Sequence, residues 1–383
     1  MQQLRVVKKI TDMIWPMIGK SEGLGVRRVG ARAARSSERD GSVLVIVLWV
    51  LALMAMYVAS LAFDMHIEAR ITSTWRKKLK AEYVARSGIE LARMALQETG
   101  DPDVKNTLDA AVYLAKGSET AIRQSAMALA QGGGAELTRQ VGEGTVQVTI
   151  RPENAKMNVN NLIHATDRAL TYQEWDPLFE TAGVPREKRD ALVDCLLDWV
   201  DQDEMTHLSG AESDYYESLD PPYKCKNGLL DVIDELALVK GFDEVMPDTG
   251  ASVYDIVSTF LTTYSDDAKL NINAVSVETL MAFLDIDQKM AEDIIAQRCG
   301  PDGIEGTEDD IPFKDMGDLL GRVPVLNQEI ASHITFAAAG RYTILSVGKV
   351  GDMRRSITCI VALAGKGQNA TLDVLSWIEG EAP

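Results

Sequence analysis

GSVLVIVLWVLALMAMYVASLAF, residues 41–63, carries no charged side chain. As an α-helix rising about 1.5 Å per residue it reaches about 35 Å, enough to cross the hydrocarbon core of a bilayer. A cleaved secretory signal has a shorter apolar stretch, about 7–15 residues, closed by a small-residue cleavage site. Here the run passes into DMHIEARITSTWRKKLKAEYVARSGIELARMALQE (64–98) with no Pro, and no Gly before Gly88. Beyond Phe63 the pattern turns amphipathic. Ile67, Ile71, Trp75, Leu79 and Tyr83 recur at helical spacing, with Ile89, Met94 and Leu96 following, and Arg, Lys and Glu fill the other faces. The spacing predicts one helix over 42–98. Its first part, 42–63, is membrane-spanning, and its second part packs on a globular head through the apolar stripe.

Charge sets the orientation. Residues 1–40 hold nine Lys and Arg against four Asp and Glu, so this side is expected in the cytoplasm and the remainder outside. The net charge is −18; residues 1–40 carry +5 and 41–63 none, which leaves −23 on residues 64–383. A head that acidic repels nucleic-acid backbones and anionic lipid surfaces. Four cysteines, Cys195, Cys225, Cys299 and Cys359, allow either two disulfides or buried free thiols.

Past the helix, residues 104–131 read as short helical pieces and QGGGAE (131–136) as a loop. GTVQVTIRP (144–152) alternates as a strand, and GRYTILSVGKVGDMRRSITCIVALAG (340–365) reads as two strands joined through Gly348–Gly351. Between these strand regions the pattern is mostly helical. The expected class is α+β: a long N-terminal helix on a small antiparallel sheet, with a large α-helical domain inserted between strands. AKMNVN (155–160) recurs as AKLNIN (268–273), which reads as a strand leading into an Asn-capped turn, used twice. Residues 366–383 read as a loose tail in which Leu372, Val374, Leu375 and Trp377 are free to dock.

Few residues invite chemistry. Of the four His (His66, His164, His207, His333) none stands in a His-Glu-x-x-His motif, and there is no Gly-x-Ser-x-Gly. IGKS (18–21) lacks the upstream Gly of a phosphate loop. No enzyme is expected. The segment 268–335 resembles helix-hairpin-helix modules, but its hairpin is Asp285-Ile286-Asp287, with carboxylates where such modules present bare N–H groups to a phosphate. No nucleic acid is expected as a partner.

The acidic loops are the candidate sites. DWVDQDEMTHLSGAESDYY (198–216) gathers Asp198, Asp201, Asp203, Glu204, Glu212 and Asp214 around a Gly-containing bend. Asp198 and Asp201, at i and i+3 of a helix end, face one side. Clustered carboxylates repel one another, and either solvent or a hard cation with six to eight oxygen ligands relieves this. A second candidate is CGPDGIEGTEDDIPF (299–313), where Asp302, Asp309 and Asp310 flank a Gly-rich turn; its plainer reading is a polar insertion between helices.

The basic leader ending at Gly41, the apolar half-helix and the amphipathic half are arranged as in type IV prepilins. AEYVARSGIELARMAL (81–96), LLDWVDQDE (196–204), GAESDYY (210–216), DPPY (220–223) and NGLLDVIDELALVKG (227–241) resemble, in order, the K-type minor pseudopilins of type II secretion systems, also called general secretion pathway protein K. The likeness runs over residues 40–365. It implies a leader (1–41) that prepilin peptidase removes after Gly41, leaving Ser42 as the N-methylated first residue. It implies a pilin-like helix (42–98), a head (99–155 and 338–365), an inserted α-domain (156–337) and a tail (366–383). The 41-residue leader is longer than this class usually carries. Ile46 stands five residues after the cut, where most pilins have Glu. A buried Glu needs a partner in the neighbouring subunit, which a filament-tip subunit lacks. The resemblance further implies a cap on the pseudopilus, working in protein export across the outer membrane with the I- and J-type minor pseudopilins, and beyond them the H-type and major pseudopilins. It places the chain in the inner membrane as a single pass with the head in the periplasm. It implies calcium in the region of the first acidic loop, where the candidate ligands are Asp198, Asp201, Asp203, Glu212 and Asp214; Asp302, Asp309 and Asp310 stay a second candidate site on their own pattern. A minor pilin of a type IV pilus, or an unprocessed membrane-anchored periplasmic binding module, would share much of the pattern.

Overall fold

The computed structural model describes residues 40–99 and 120–381, apart from 165, 266–267, 285, 304, 306–308, 327, 339 and 366–369. Most of the expected leader and the first of the short helical pieces lie outside the described residues. The described chain forms two units, one ending at Arg70 and one starting at Ile71.

One helix, α1, runs Asp40–Glu98. Its apolar first half is exposed along Val43–Phe63, as a membrane-spanning segment is without its lipid, and it is long and apolar enough to cross a bilayer. Then come α2 (Thr120–Ala130), β1 (Ala135–Val141) and β2 (Gly144–Pro152). The helical region that follows opens with β3 (Met157–Asn158) and continues through α3 (Arg168–Thr181), α4 (Arg186–Val200), α5 (Ser213–Glu217), α6 (Val253–Val257) and β4 (Leu261–Thr262). Its second part comprises β5 (Leu270–Asn271), α7 (Val277–Leu284), α8 (Gln288–Arg298), α9 (Met316–Arg322) and β6 (Ile334–Thr335). The chain ends in β7 (Arg341–Val350), β8 (Met353–Ala364) and β9 (Thr371–Gly380).

Five strands form one antiparallel sheet in the order β1-β2-β7-β8-β9. Because β2 pairs directly with β7, Thr145 opposite Lys349 and Pro152 opposite Tyr342, the whole helical region is an insertion between neighbouring strands, as the α+β reading requires. Three local readings need correction. β1 begins inside the expected 131–136 loop. The β7–β8 turn is Gly351-Asp352 alone, with Gly348 inside β7. The expected loose tail supplies β9, the edge strand on β8. Leu372, Val374 and Trp377 pair there with Leu363, Val361 and Cys359.

Of the expected stripe only Ile89 and Leu96 meet the sheet; the rest of the packing face is a different one. Ile67, Ile71, Trp75, Leu79 and Tyr83 are exposed, Trp75 by 64%. The buried face is Ala81, Val84, Ala85, Gly88, Ala92, Ala95 and Leu96. Small side chains let the helix backbone come down onto the strands, where a bulky stripe would hold it off. A Cβ on Gly348 would lie 2.1 Å from the Ala81 carbonyl oxygen. Around this contact Leu96, Leu129, Val146, Val148, Ile150, Ile344 and Cys359 form the head core. Each large aliphatic buried there contributes about 1.5–3 kcal/mol. Lys77 pairs with Asp352 at 2.9 Å, Lys80 with Glu143 at 2.6 Å and Arg86 with Glu379 at 2.9 Å, all exposed pairs that orient the helix more than they stabilise it.

The sequence echo is a structural repeat. In the first copy Met157 and Asn158 of β3 pair in parallel with Leu261 and Thr262 of β4; in the second, Leu270 and Asn271 of β5 pair with Ile334 and Thr335 of β6. In both, the Asn side chain accepts from the backbone N–H two residues on: Asn158 from Asn160 at 2.9 Å, Asn271 from Asn273 at 3.0 Å. Each copy then builds a helical hairpin, α3–α4 or α7–α8, and one continuous core runs through both. In the second hairpin Asp287 accepts from Met290 N at 2.8 Å, so a carboxylate caps the helix end that a phosphate would need. Asp285 lies outside the described residues.

Candidate metal centre

The first acidic loop hangs from the last turns of α4. Asp194 and Asp198 stand one turn apart there, and both are buried. Asp194 accepts Ser209 N at 3.0 Å and the Tyr172 hydroxyl. Asp198 accepts His207 N at 3.2 Å and closely contacts His207 Nδ1. Two carboxylates at i and i+4 of one helix therefore fix the returning strand of the loop. At its start Asp201 accepts from Asp203 N at 3.3 Å and Asp203 from Met205 N at 2.8 Å, the side-chain-to-backbone bonds that favour Asp in turns. Gly210 is required by crowding: a Cβ there would lie 1.8 Å from Asp198 Oδ2. Glu204 ties the loop to its neighbours through Ser213 Oγ at 3.2 Å and Asn227 Nδ2 at 3.0 Å.

Glu212 precedes α5 and is 4% exposed, and both of its carboxylate oxygens are buried without a hydrogen-bond partner. Burial, and then the charges of Asp198, Asp201, Glu204 and Asp203, push its carboxyl up to about 7. Asp201 is raised as well, again by burial first. Two sets of ligand atoms converge within 4.8 Å of one another: Asp201, Asp203 and Glu212, and Asp198, Asp201 and His207. Unpartnered buried oxygens among carboxylates are what a divalent cation would neutralise, so the residues fit one.

Four of the five expected ligands, Asp198, Asp201, Asp203 and Glu212, thus come together. Asp214 does not; it lies exposed in the first turn of α5. His207 was not anticipated. Its only sequence signal is a His four residues after Asp203 in a loop already dense in carboxylates. Asp302, Asp309 and Asp310 form no converging group among the described residues. Asp309 instead accepts the Asp302 N–H at 3.0 Å, and the neighbouring Glu305 pairs with buried Arg298 at 3.1 Å.

All four cysteines are free and buried. Cys225 donates to the Asp198 carbonyl at 3.3 Å and Cys195 to the Ser209 carbonyl at 3.4 Å. Burial pushes them up to about 12 and about 11, so they brace the loop as neutral thiols.

A long helix with an apolar first half, laid by a small-residue face on an antiparallel sheet, defines a pilin-like protein, here with a helical domain spliced between two adjacent strands. Residues 155–248, which include the acidic loop, match the family model described as type II secretion system (T2SS), protein K. Type II secretion system protein K of Pseudomonas aeruginosa is 24% identical over 341 residues, covering 88% of this chain and 92% of the relative. That of Klebsiella pneumoniae is 27% identical over 241 residues, covering 61% and 66%. A chain of the crystal structure of the GspK-GspI-GspJ complex from the enterotoxigenic Escherichia coli type 2 secretion system superposes with a TM-score of 0.54 at 18% identity, over 81% of this chain and 99% of that one; it shows the shared fold. The chain is thus similar over most of its length to type II secretion system protein K, the minor pseudopilins of K type, whose context is protein transport.

Proposed function

We propose that the chain caps the tip of a type II secretion pseudopilus and acts in export across the outer membrane by assembly. The observation that carries this is the exposed face of α1: Ile71, Trp75, Leu79 and Tyr83 lie uncovered on a helix whose opposite face is already spent on its own sheet. Apolar area of this kind, buried on a partner at about 25 cal/mol per Å², supplies a driving force for association. The fold neighbour crystallised as a GspK-GspI-GspJ complex, and by analogy the partners here are the I- and J-type minor pseudopilins. The apolar half of α1 serves first as a single-pass inner-membrane anchor with the head in the periplasm. Prepilin peptidase then cuts after Gly41, freeing Ser42 to start the mature chain. Gly41 and Ser42 stand at the beginning of α1. Co-expression of the full chain with its I- and J-type partners, followed by detergent extraction and size-exclusion chromatography, tests the assignment; elution without either partner refutes it.

The loop on α4 is assigned calcium in the same reading, held by Asp198, Asp201, Asp203 and Glu212. The cation would neutralise the crowded carboxylates and stiffen residues 201–212. Calcium titration monitored by thermal unfolding tests this separately from assembly.

A further inference from the structure

Leu208 is 98% exposed, more than any other large apolar side chain among the described residues, and Met205 in the same loop is 73% exposed. We propose that this pair is a docking knob for a protein other than the I- and J-type partners, one that offers an apolar pocket rimmed by Lys and Arg.

Single exposed Leu residues are ordinary, but this one is held out. The backbone on both sides of it is fastened. His207 N–H donates to Asp198 at 3.2 Å and Ser209 N–H to Asp194 at 3.0 Å, two buried carboxylates on α4. Asp194 is held in turn by the Tyr172 hydroxyl of α3. The Ser209 carbonyl accepts from Cys195 at 3.4 Å, and the Gly210 carbonyl from Lys240 Nζ at 3.3 Å. Met205 is steadied likewise, its N–H donating to Asp203 at 2.8 Å. Two apolar side chains shown on a backbone already fixed can bind without a loop being ordered first, which lowers the entropy cost of contact. Met adapts to the walls of a pocket as Leu fills it.

Charge says what covers the pair. Between Arg189 and Lys224 the sequence has no Lys or Arg and ten Asp and Glu. Glu204 and Asp214, both exposed and both outside the calcium assignment, flank the knob; Ser213 Oγ ties their neighbourhoods together by donating to Glu204 at 3.2 Å. An acidic surface would be repelled there, whereas Lys and Arg around the pocket steer the encounter and select the partner. The knob stands on the inserted domain and the exposed stripe on α1, so covering the stripe leaves Leu208 open to a third protein.

The test places the photoreactive residue benzoylphenylalanine at Leu208 of the full chain, in cells that natively make it with its I- and J-type partners. The cross-linked residue on the captured protein is mapped by mass spectrometry. The expected adduct is with a protein other than those two, at an apolar residue with Lys or Arg around it. Its yield should fall at least about tenfold in about 0.5 M NaCl, which screens exposed charges, and in a Met205→Asp background. Leu208→Asp should leave both the I- and J-type partners and the calcium response in place, which also reports that the variant is folded. No adduct above that from exposed Gln202, an adduct only with the I- or J-type partner, a contact lacking basic residues, or a yield indifferent to salt would each overturn the proposal. So would loss of those partners in Leu208→Asp, which would merge the knob with the assembly interface. The expected adduct from a chain that never recovers the I- and J-type partners would sink the cap reading alone.

Discussion

Gly88 of α1 and Ser346 of β7 meet with no room between them. A Cβ on Gly88 would fall 2.1 Å from the Ser346 hydroxyl oxygen, which donates to the Ala85 carbonyl at 2.7 Å, and 2.6 Å from a Val146 methyl. In an exposed helix, Gly→Ala stabilises by about 1 kcal/mol. Here the sign should reverse. Gly88→Ala is expected to destabilise by about 1–3 kcal/mol through overpacking, read from thermal or denaturant unfolding. A more stable variant would contradict the close approach.

On the opposite side of the same helix, substitutions should separate stability from assembly. Trp75→Glu with Leu79→Glu changes exposed positions and should move the unfolding free energy by no more than about 0.5 kcal/mol. The same double variant should fail to recover the I- and J-type partners in co-purification. Retained partners would place the interface elsewhere.

Processing gives a third test. In cells with prepilin peptidase, N-terminal mass spectrometry should find Ser42 first in the mature chain, and Gly41→Leu should accumulate the precursor. An intact precursor in wild-type cells would favour a permanently anchored protein.

Calcium at 100 times its dissociation constant should stabilise the domain by about 2.7 kcal/mol, reversibly with EDTA. Magnesium should do less, because it demands octahedral geometry and keeps its waters. Glu212→Gln should abolish most of the response and leave the metal-free domain more stable, since a buried unpartnered carboxylate is gone. Asp309→Ala should leave the calcium response intact, because its carboxylate is engaged with the Asp302 N–H. An unfolding curve indifferent to calcium would remove the metal from the first loop.

How legible all this is from sequence depends on what each residue shows on its own. α1, β2 and the β7–β8 pair announce themselves through long apolar runs or clean alternation. The packing face of α1 does not: Ala81, Ala85, Ala92 and Ala95 carry little hydrophobic signal beside Trp75 and Tyr83, and only the sheet's closeness selects them. β9 hides because Val374, Leu375, Trp377 and Ile378 are all exposed, so no buried side imprints a period of two. In the acidic loop the carboxylate cluster is visible as composition. The position of His207 is set by Asp194 and Asp198 reaching across fifteen and nine residues to the backbone, which no local pattern encodes. Asp214 illustrates the converse, a carboxylate near in sequence that the start of α5 carries into solvent.

The direct pairing of β2 with β7 also dictates an order of events. Thr145 cannot meet Lys349 until everything between them has been synthesised, and closing so long a loop against its entropy is slow unless the loop is already compact. The inserted domain has its own continuous core and its own parallel strand pairs, so it can collapse first and bring Pro152 and Tyr342 within reach. Until then α1 has only β1 and β2 to cover its alanine face, and the half-built head is an open sheet edge. A loop stiffened on α4 would shorten that vulnerable interval, so the acidic loop bears on how quickly a newly made chain becomes competent to assemble.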